Sequence, residues 1–217
     1  MSIFFQKELE KLRKQILSLG ALVEDNLAQA VRALQQRDAD LAQHVEEQDA
    51  EVDHLEIETE EECLKVLALH QPVATDLRFI VSVLKMNRDL ERTGDQAVNI
   101  AHKAMRLAEC REWPITVDFD PMAQSARRML RDALDSMVNV DVALARRVRA
   151  ADDEVDDMKS SITERVLAAI REAPLDAEPL LAVLGAARNL ERIADLATNI
   201  AADVIYMVDG DIVRHGG

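Results

Sequence analysis

Residues 88–101 read Arg-Asp-Leu-Glu-Arg-Thr-Gly-Asp-Gln-Ala-Val-Asn-Ile-Ala, and residues 188–201 read Arg-Asn-Leu-Glu-Arg-Ile-Ala-Asp-Leu-Ala-Thr-Asn-Ile-Ala. Nine of the fourteen positions are identical, where chance at ordinary residue frequencies gives roughly one. The chain therefore holds two copies of one unit of about 100 residues. Much of the repeat is polar. In each copy Glu-x-x-x-Asp-x-x-x-Asn sets two carboxylates and an amide at i, i+4 and i+8, and on a helix each such step climbs about 6 Å and turns about 40°. An oxygen-rich stripe along one helix of each half is the expected result.

The duplication continues outward from that phrase. Asp38 through Asp53 aligns with Asp141 through Asp156 at an offset of 103, closing on Asp49-Ala50-Glu51-Val52-Asp53 in one copy and Asp152-Asp153-Glu154-Val155-Asp156 in the other. Asp76 precedes Glu91 by the same interval as Asp176 precedes Glu191. The prolines at 72, 114, 121, 174 and 179 fall between periodic stretches, where helices end. Six long helices are predicted, at about 3–36, 39–70, 73–110, 119–148, 150–172 and 176–209. Leu9, Leu12, Ile16, Leu19, Val23, Leu27, Ala30 and Leu34 recur at steps of three and four, one apolar stripe. Leu41, Val45, Val52, Leu55, Leu64 and Leu67 in the second helix, and Leu77, Ile80, Val83, Leu84, Leu90 and Ile100 in the third, are the expected facing stripes. The fold class is all-α: two tandem, pseudo-symmetric three-helix bundles, spanning 1–112 and 117–217. A non-periodic linker at about 111–118, with the only Trp, joins them.

Composition agrees. Hydrophobic residues make up 48% of the 217, aromatic residues only 3%, and there are six Gly and five Pro, a helical rather than a β-sandwich profile. A net charge of −15 repels phosphate backbones and anionic lipid, which argues against nucleic acid as a partner. Two cysteines, Cys63 and Cys110, make no disulfide framework and fit a reducing compartment. No apolar run nears the ~20 residues that span a bilayer, and the N-terminus lacks the pattern of a signal peptide. A cytoplasmic protein without direct membrane insertion is expected.

Each half presents two acidic pairs at i, i+4 on neighbouring helices: Asp49/Asp53 with Glu91/Asp95, and Asp152/Asp156 with Glu191/Asp195. Like charges so spaced destabilise a helix by a few tenths of a kcal/mol each, so a positive charge must compensate. Either the flanking Arg88, Arg92, Arg188 and Arg192 pair with them, or bound cations do. Convergent carboxylates from two helices suit Mg²⁺, Mn²⁺ or Ca²⁺, or carboxylate-bridged iron and zinc clusters, and Asn99, Asn199 and Asp203 extend the stripes. The Glu-x-x-His of ferritin-like di-iron sites is missing, since Gly94 and Ala194 stand at its histidine position. No nucleophile elbow, His-Glu-x-x-His or phosphate-cradling glycine loop occurs, so no catalytic or organic-cofactor residues are assigned. A metal-dependent enzyme or metal-storage bundle is the alternative, motivated by the same carboxylates. Gly94 inside a helix implies close approach of a neighbouring helix or an ion cluster.

Three further features complete the pattern: the repeated Leu-Glu-Arg-x-x-Asp-x-x-x-Asn-Ile core at 90–100 and 190–200, the stretch Gln71-Pro72-Val73-Ala74-Thr75-Asp76-Leu77-Arg78, and the tail Val204-Ile205-Tyr206-Met207-Val208-Asp209-Gly210. With these the chain resembles, over nearly its full length, the PhoU family of phosphate-signalling regulators. The resemblance implies a cytoplasmic, non-enzymatic, often homodimeric adaptor that restrains phosphate uptake and the phosphate-starvation response. It would couple the ATPase subunit of a phosphate ABC transporter to a sensor histidine kinase. It further implies multinuclear metal clusters (Fe, Zn, Mn or Mg) held by the acidic pairs, and so metal sites at Asp49, Asp53, Glu91, Asp95, Asp152, Asp156, Glu191 and Asp195, to which the stripes add Asn99 and Asn199 as further oxygen donors. The family's usual acidic residue after Asn-Ile-Ala is replaced by His102 and Ala202, which removes one ligand per site.

Overall fold

A computed structural model describes residues 3–110, 115–172 and 177–210. Among them are seven helical segments and no strand: α1 (Ile3–Gln36), α2 (Ala39–His70), α3 (Ala74–Ala108), α4 (Asp120–Asn139), α5 (Val142–Ala150), α6 (Asp152–Glu172) and α7 (Ala177–Asp209). α1, α2 and α3 pack on one another, α7 packs against α4, α5 and α6, and the broadest interface joins α3 to α7. These are the two tandem three-helix bundles. Residues 111–114 of the expected linker, and Asp176, lie outside the described residues. The linker's far end is anchored by Phe119, which is fully buried.

The α1 stripe is the core face: Leu12, Ile16, Leu19, Val23, Leu27 and Leu34 are completely buried and Leu9 partly so. Each such leucine or isoleucine contributes about 1.5–3 kcal/mol by leaving water. Two expected core residues face outward. Leu64 is 53% and Leu77 41% exposed. On α2 the buried line is Val45, Val52, Thr59 and Val66 at seven-residue steps, with Cys63 beside it, which turns Leu64 about 100° away from Cys63.

The expected helix at 119–148 is corrected: it ends at Asn139, and the next begins at Val142. Val140 takes a left-handed conformation (φ 54°) and Asp141 caps α5 by accepting a hydrogen bond from the Leu144 amide at 2.9 Å. The same joint stands one repeat earlier. Arg37 is left-handed (φ 56°) and Asp38 caps α2 by accepting from the Leu41 amide at 2.9 Å, a cap whose loss typically costs ~1 kcal/mol. α5 and α6 are together the counterpart of α2, interrupted at Ala151, whose amide still reaches the Arg147 and Val148 carbonyls. Charges favour the interruption. Arg147 and Arg149 end α5, while Asp152, Asp153 and Glu154 open α6, each sign placed where the helix dipole stabilises it.

Candidate functional site

On α2 the positions Ala42, Asp49, Glu56 and Cys63 follow one another at seven-residue steps. They form a second line beside Val45, Val52, Thr59 and Val66, which holds Asp49 and Glu56 half-buried against α3. α3 answers with Glu91, half-buried, and Asp95, exposed at the rim. The helices meet closest at Gly94. A methyl group there would stand 3.1 Å from Asp49 Oδ1 and 3.1 Å from Val52 Cγ1, so the glycine lets the Asp49 carboxylate lie across α3. Buried Asn87 ties the helices together, its Nδ2 donating to the Glu56 carbonyl at 2.8 Å and to Glu56 Oε1 at 3.3 Å.

The first cluster is thus Asp49, Asp53, Glu56, Glu91 and Asp95, and its electrostatics show mutual repulsion. Burial, then Asp53 and Asp95, push Asp49 up to about 6. Glu91 is raised by burial and then by Asp95, Glu56, Asp53 and Asp49, and Glu56 by burial and then by Glu60 and Asp53. Asp95 is raised by burial and Asp53 and pulled back by the Arg92 guanidinium. Arg88 and Arg92 also act on Asp89, a different carboxylate near Asp203.

In the second half Asp152 and Asp156 ride on α6, and Glu191 and Asp195 on α7. Asp152 is pushed up to about 6 by burial and then by Asp195, Asp156, Asp153 and Glu191. One more side chain enters here that sequence reasoning missed. Lys159 Nζ donates to Glu191 Oε1 at 3.0 Å and stands 3.9 Å from Asp156 Oδ1. The Glu191 hydrogen bond raises the lysine's affinity for its proton. Lys159, Arg188, Glu191, Arg192 and Asp195 are among the residues lining an open groove of about 580 Å³. Lys159 is the image of Glu56 at the 103-residue offset, so extending the duplicated segment three residues beyond Asp156 finds it.

The outlying candidates separate from the clusters. Asn99 is exposed and Asn199 half-buried, each one turn beyond the second acid of its stripe. Asp203 does not extend the second stripe: it crosses to α3, where it pairs with Lys85 at 2.9 Å, and its backbone carbonyl accepts from Ser82 Oγ at 3.2 Å. His102 reaches back to Glu46 of α2 at 3.3 Å.

Among the described residues no group of three or more His, Cys, Asp and Glu side chains stands in a geometry that holds a metal ion. The carboxylates share a face without closing on one point. Donor chemistry separates the halves. The first cluster is all oxygen and mutually repelling, with Asp49, Glu56 and Glu91 half-buried and Asp53 and Asp95 exposed at the rim, the kind of donor set a hard divalent cation accepts. In the second an ammonium already lies between carboxylates of both helices.

Two tandem three-helix bundles, each carrying paired carboxylates on two neighbouring helices, α2 and α3 in one and α6 and α7 in the other, define a class of all-α proteins whose polar feature is a duplicated acidic stripe. The chain matches the PhoU domain twice, over residues 16–104 and 119–204. It is 41% identical to the phosphate-specific transport system accessory protein PhoU homolog of Pseudomonas putida, over 98% of this chain and 84% of that protein. It is 33% identical to the accessory protein PhoU of Escherichia coli, over 98% and 88%. The fold matches a crystal structure of PhoU from Pseudomonas aeruginosa with a TM-score of 0.91 at 38% identity, covering 95% of this chain and all of that one. The chain belongs to the PhoU family. Among the described residues no helix is long and apolar enough to cross a membrane.

Proposed function

We propose that this chain is a cytoplasmic negative regulator of phosphate uptake and of phosphate-starvation signalling. In that role it is a non-enzymatic, homodimeric adaptor between the ATPase subunit of a phosphate ABC transporter and a sensor histidine kinase, with 1–112 and 117–217 as its two units. The observation that carries this reading is the duplicated carboxylate pair mounted on packed, regular helices, in a chain whose relatives are named as accessory proteins of phosphate-specific transport. Three histidines have neighbours within the first bundle: His54 stands 3.4 Å from Glu58, His102 3.3 Å from Glu46, and the His70 ring lies 4.9 Å from that of Phe5 at a tilt of 47°.

Cations enter through the first cluster. Asp49, Asp53, Glu91 and Asp95, with Glu56 behind them and Asn99 beyond, would hold Mg²⁺, Mn²⁺, Zn²⁺ or iron, singly or as a cluster. A bound cation would offset the burial and the mutual repulsion that together raise Asp49 and Glu91. Asp152, Asp156, Glu191, Asp195 and Asn199 are the matching set in the second half. The test is a deletion strain complemented with the wild type and with Glu91→Gln/Asp95→Asn. Deletion is expected to derepress phosphate uptake and starvation genes in high phosphate, the wild type to restore repression, and the variant to restore it incompletely. Normal uptake and gene expression in the deletion strain would sink the regulatory reading.

A further inference from the structure

We infer that Lys159 takes, in the second half, the place a divalent cation takes in the first, so that this chain has one carboxylate cluster open to exchangeable cations and one closed by its own ammonium. The inference rests on the cation reading of the first cluster given above.

The duplicated registers carry it. At an offset of 103, Asp49 becomes Asp152, Val52 becomes Val155, Asp53 becomes Asp156, and Glu56 becomes Lys159. Val52 and Val155 are both completely buried, so the two helices present the same face to equivalent neighbours, α2 to α3 and α6 to α7. The positions seven residues after Asp49 and Asp152 therefore occupy equivalent places, and they differ in sign. The residue opposite changes with them. Asn87 of α3 holds Glu56 by its amide, whereas the corresponding position on α7 is Ala187, buried and without a donor.

Lys159 instead turns toward Glu191 and Asp156, one on α7 and one on α6. A bridging ion would link these same two helices. An ammonium carries three donors and a compact charge, and the Lys159 side chain is only 33% exposed. A divalent ion approaching this cluster meets a positive charge already seated among its ligands. In the first half it meets five carboxylates and, on Asp95, the distant pull of Arg92.

The experiment is Mn²⁺ binding to the metal-stripped full-length chain, read as Mn per chain by elemental analysis after gel filtration and by calorimetry, with helicity followed by circular dichroism. The wild type is expected to lose its Mn²⁺ in Asp49→Asn/Asp95→Asn and to keep it in Asp152→Asn/Asp195→Asn. Lys159→Glu, which installs the residue of the first half, is expected to bring bound Mn²⁺ to about twice the wild-type content. Lys159→Gln gives the same direction if the glutamate variant fails to fold. Loss of wild-type Mn²⁺ in Asp152→Asn/Asp195→Asn overturns the inference, and so does a Mn content in both folded Lys159 variants no higher than wild type. Uptake by the Lys159 variants but not by the wild type would uphold the role of the lysine and refute the cation reading of the first cluster. No uptake by any chain would refute both.

Discussion

α2 carries eleven Asp and Glu against a single Lys over its 32 residues, whereas its counterpart, 142–172, carries seven acids against six bases. Both present the same buried valines to the same kind of partner helix, and both lift one aspartate to about 6. Duplication has preserved the packing and let the charge balance drift apart. Helix pairing is fixed by apolar residues at heptad-like steps, which tolerate little change in volume. The flanking polar positions only need their charges compensated, and an ion, a lysine or a protonated carboxyl can each do so.

That comparison is most severely tested in the core. Leu90 and Leu190 are images at 100 residues and both are completely buried, so Leu90→Ala and Leu190→Ala should each cost about 2–5 kcal/mol by urea denaturation. A loss below about 1 kcal/mol in one of them would mean that the halves are not equivalent even in packing. Charge substitutions should move stability less and in opposite directions. In metal-free buffer Lys159→Met is expected to destabilise by up to about 1 kcal/mol, as befits a part-exposed pair. Glu56→Lys, which puts an ammonium where the first half has none, is expected to stabilise by a similar amount.

Protonation gives the next effect. Because Asp49 binds its proton more tightly folded than unfolded, the native state holds the extra proton between about pH 4 and 6. Stability therefore falls as pH rises through that window. Asp49→Asn should remove this loss, stabilising the metal-free protein at pH 7 and changing little below pH 4. Asp152→Asn should behave alike, since Lys159 reaches Glu191 and Asp156 rather than Asp152. Identical pH profiles for wild type and Asp49→Asn would contradict the burial and carboxylate repulsion that raise Asp49. The small residues differ between the halves as well, and one of them gives the smallest net effect. Ala194→Gly should cost about 1 kcal/mol of helix propensity, while Gly94→Ala should come out near zero, because the same gain is offset by crowding Asp49 and Val52. A gain of a full kcal/mol in Gly94→Ala would mean that the helices part more easily than their contact implies.

The bundles were legible in the sequence because a repeat at fixed offset needs no knowledge of three-dimensional contacts, and α1 because its apolar period is unbroken. The sequence pattern overruns the end of α4 because Met137, Val138, Val140, Val142 and Leu144 keep the local composition apolar straight through the joint. The informative residue was Asp141, the image of the cap at Asp38. The acidic pairs are legible as a pattern, but the compensations the sequence suggests, adjacent arginines or bound cations, do not include a lysine. Lys159 lies outside the repeated phrase, and only the folded chain shows that one turn of α6 brings its amine to α7.

The interface between α3 and α7 has one consequence beyond holding the halves together. Glu91 and Asp95 stand on α3 and Glu191 and Asp195 on α7, and the Lys85–Asp203 pair and the Ser82 hydrogen bond fasten these same two helices to each other. The molecule thus has a single spine with a charged outrigger, α2 or α6, on each side. Packed helices yield by small sliding shifts, so an ion drawing α2 toward α3 would load the spine from one side while the other side, where Lys159 already bridges α6 and α7, would take up no such load. A chain with one adjustable side and one set side would turn cation occupancy into a bend of the whole body rather than a symmetric tightening.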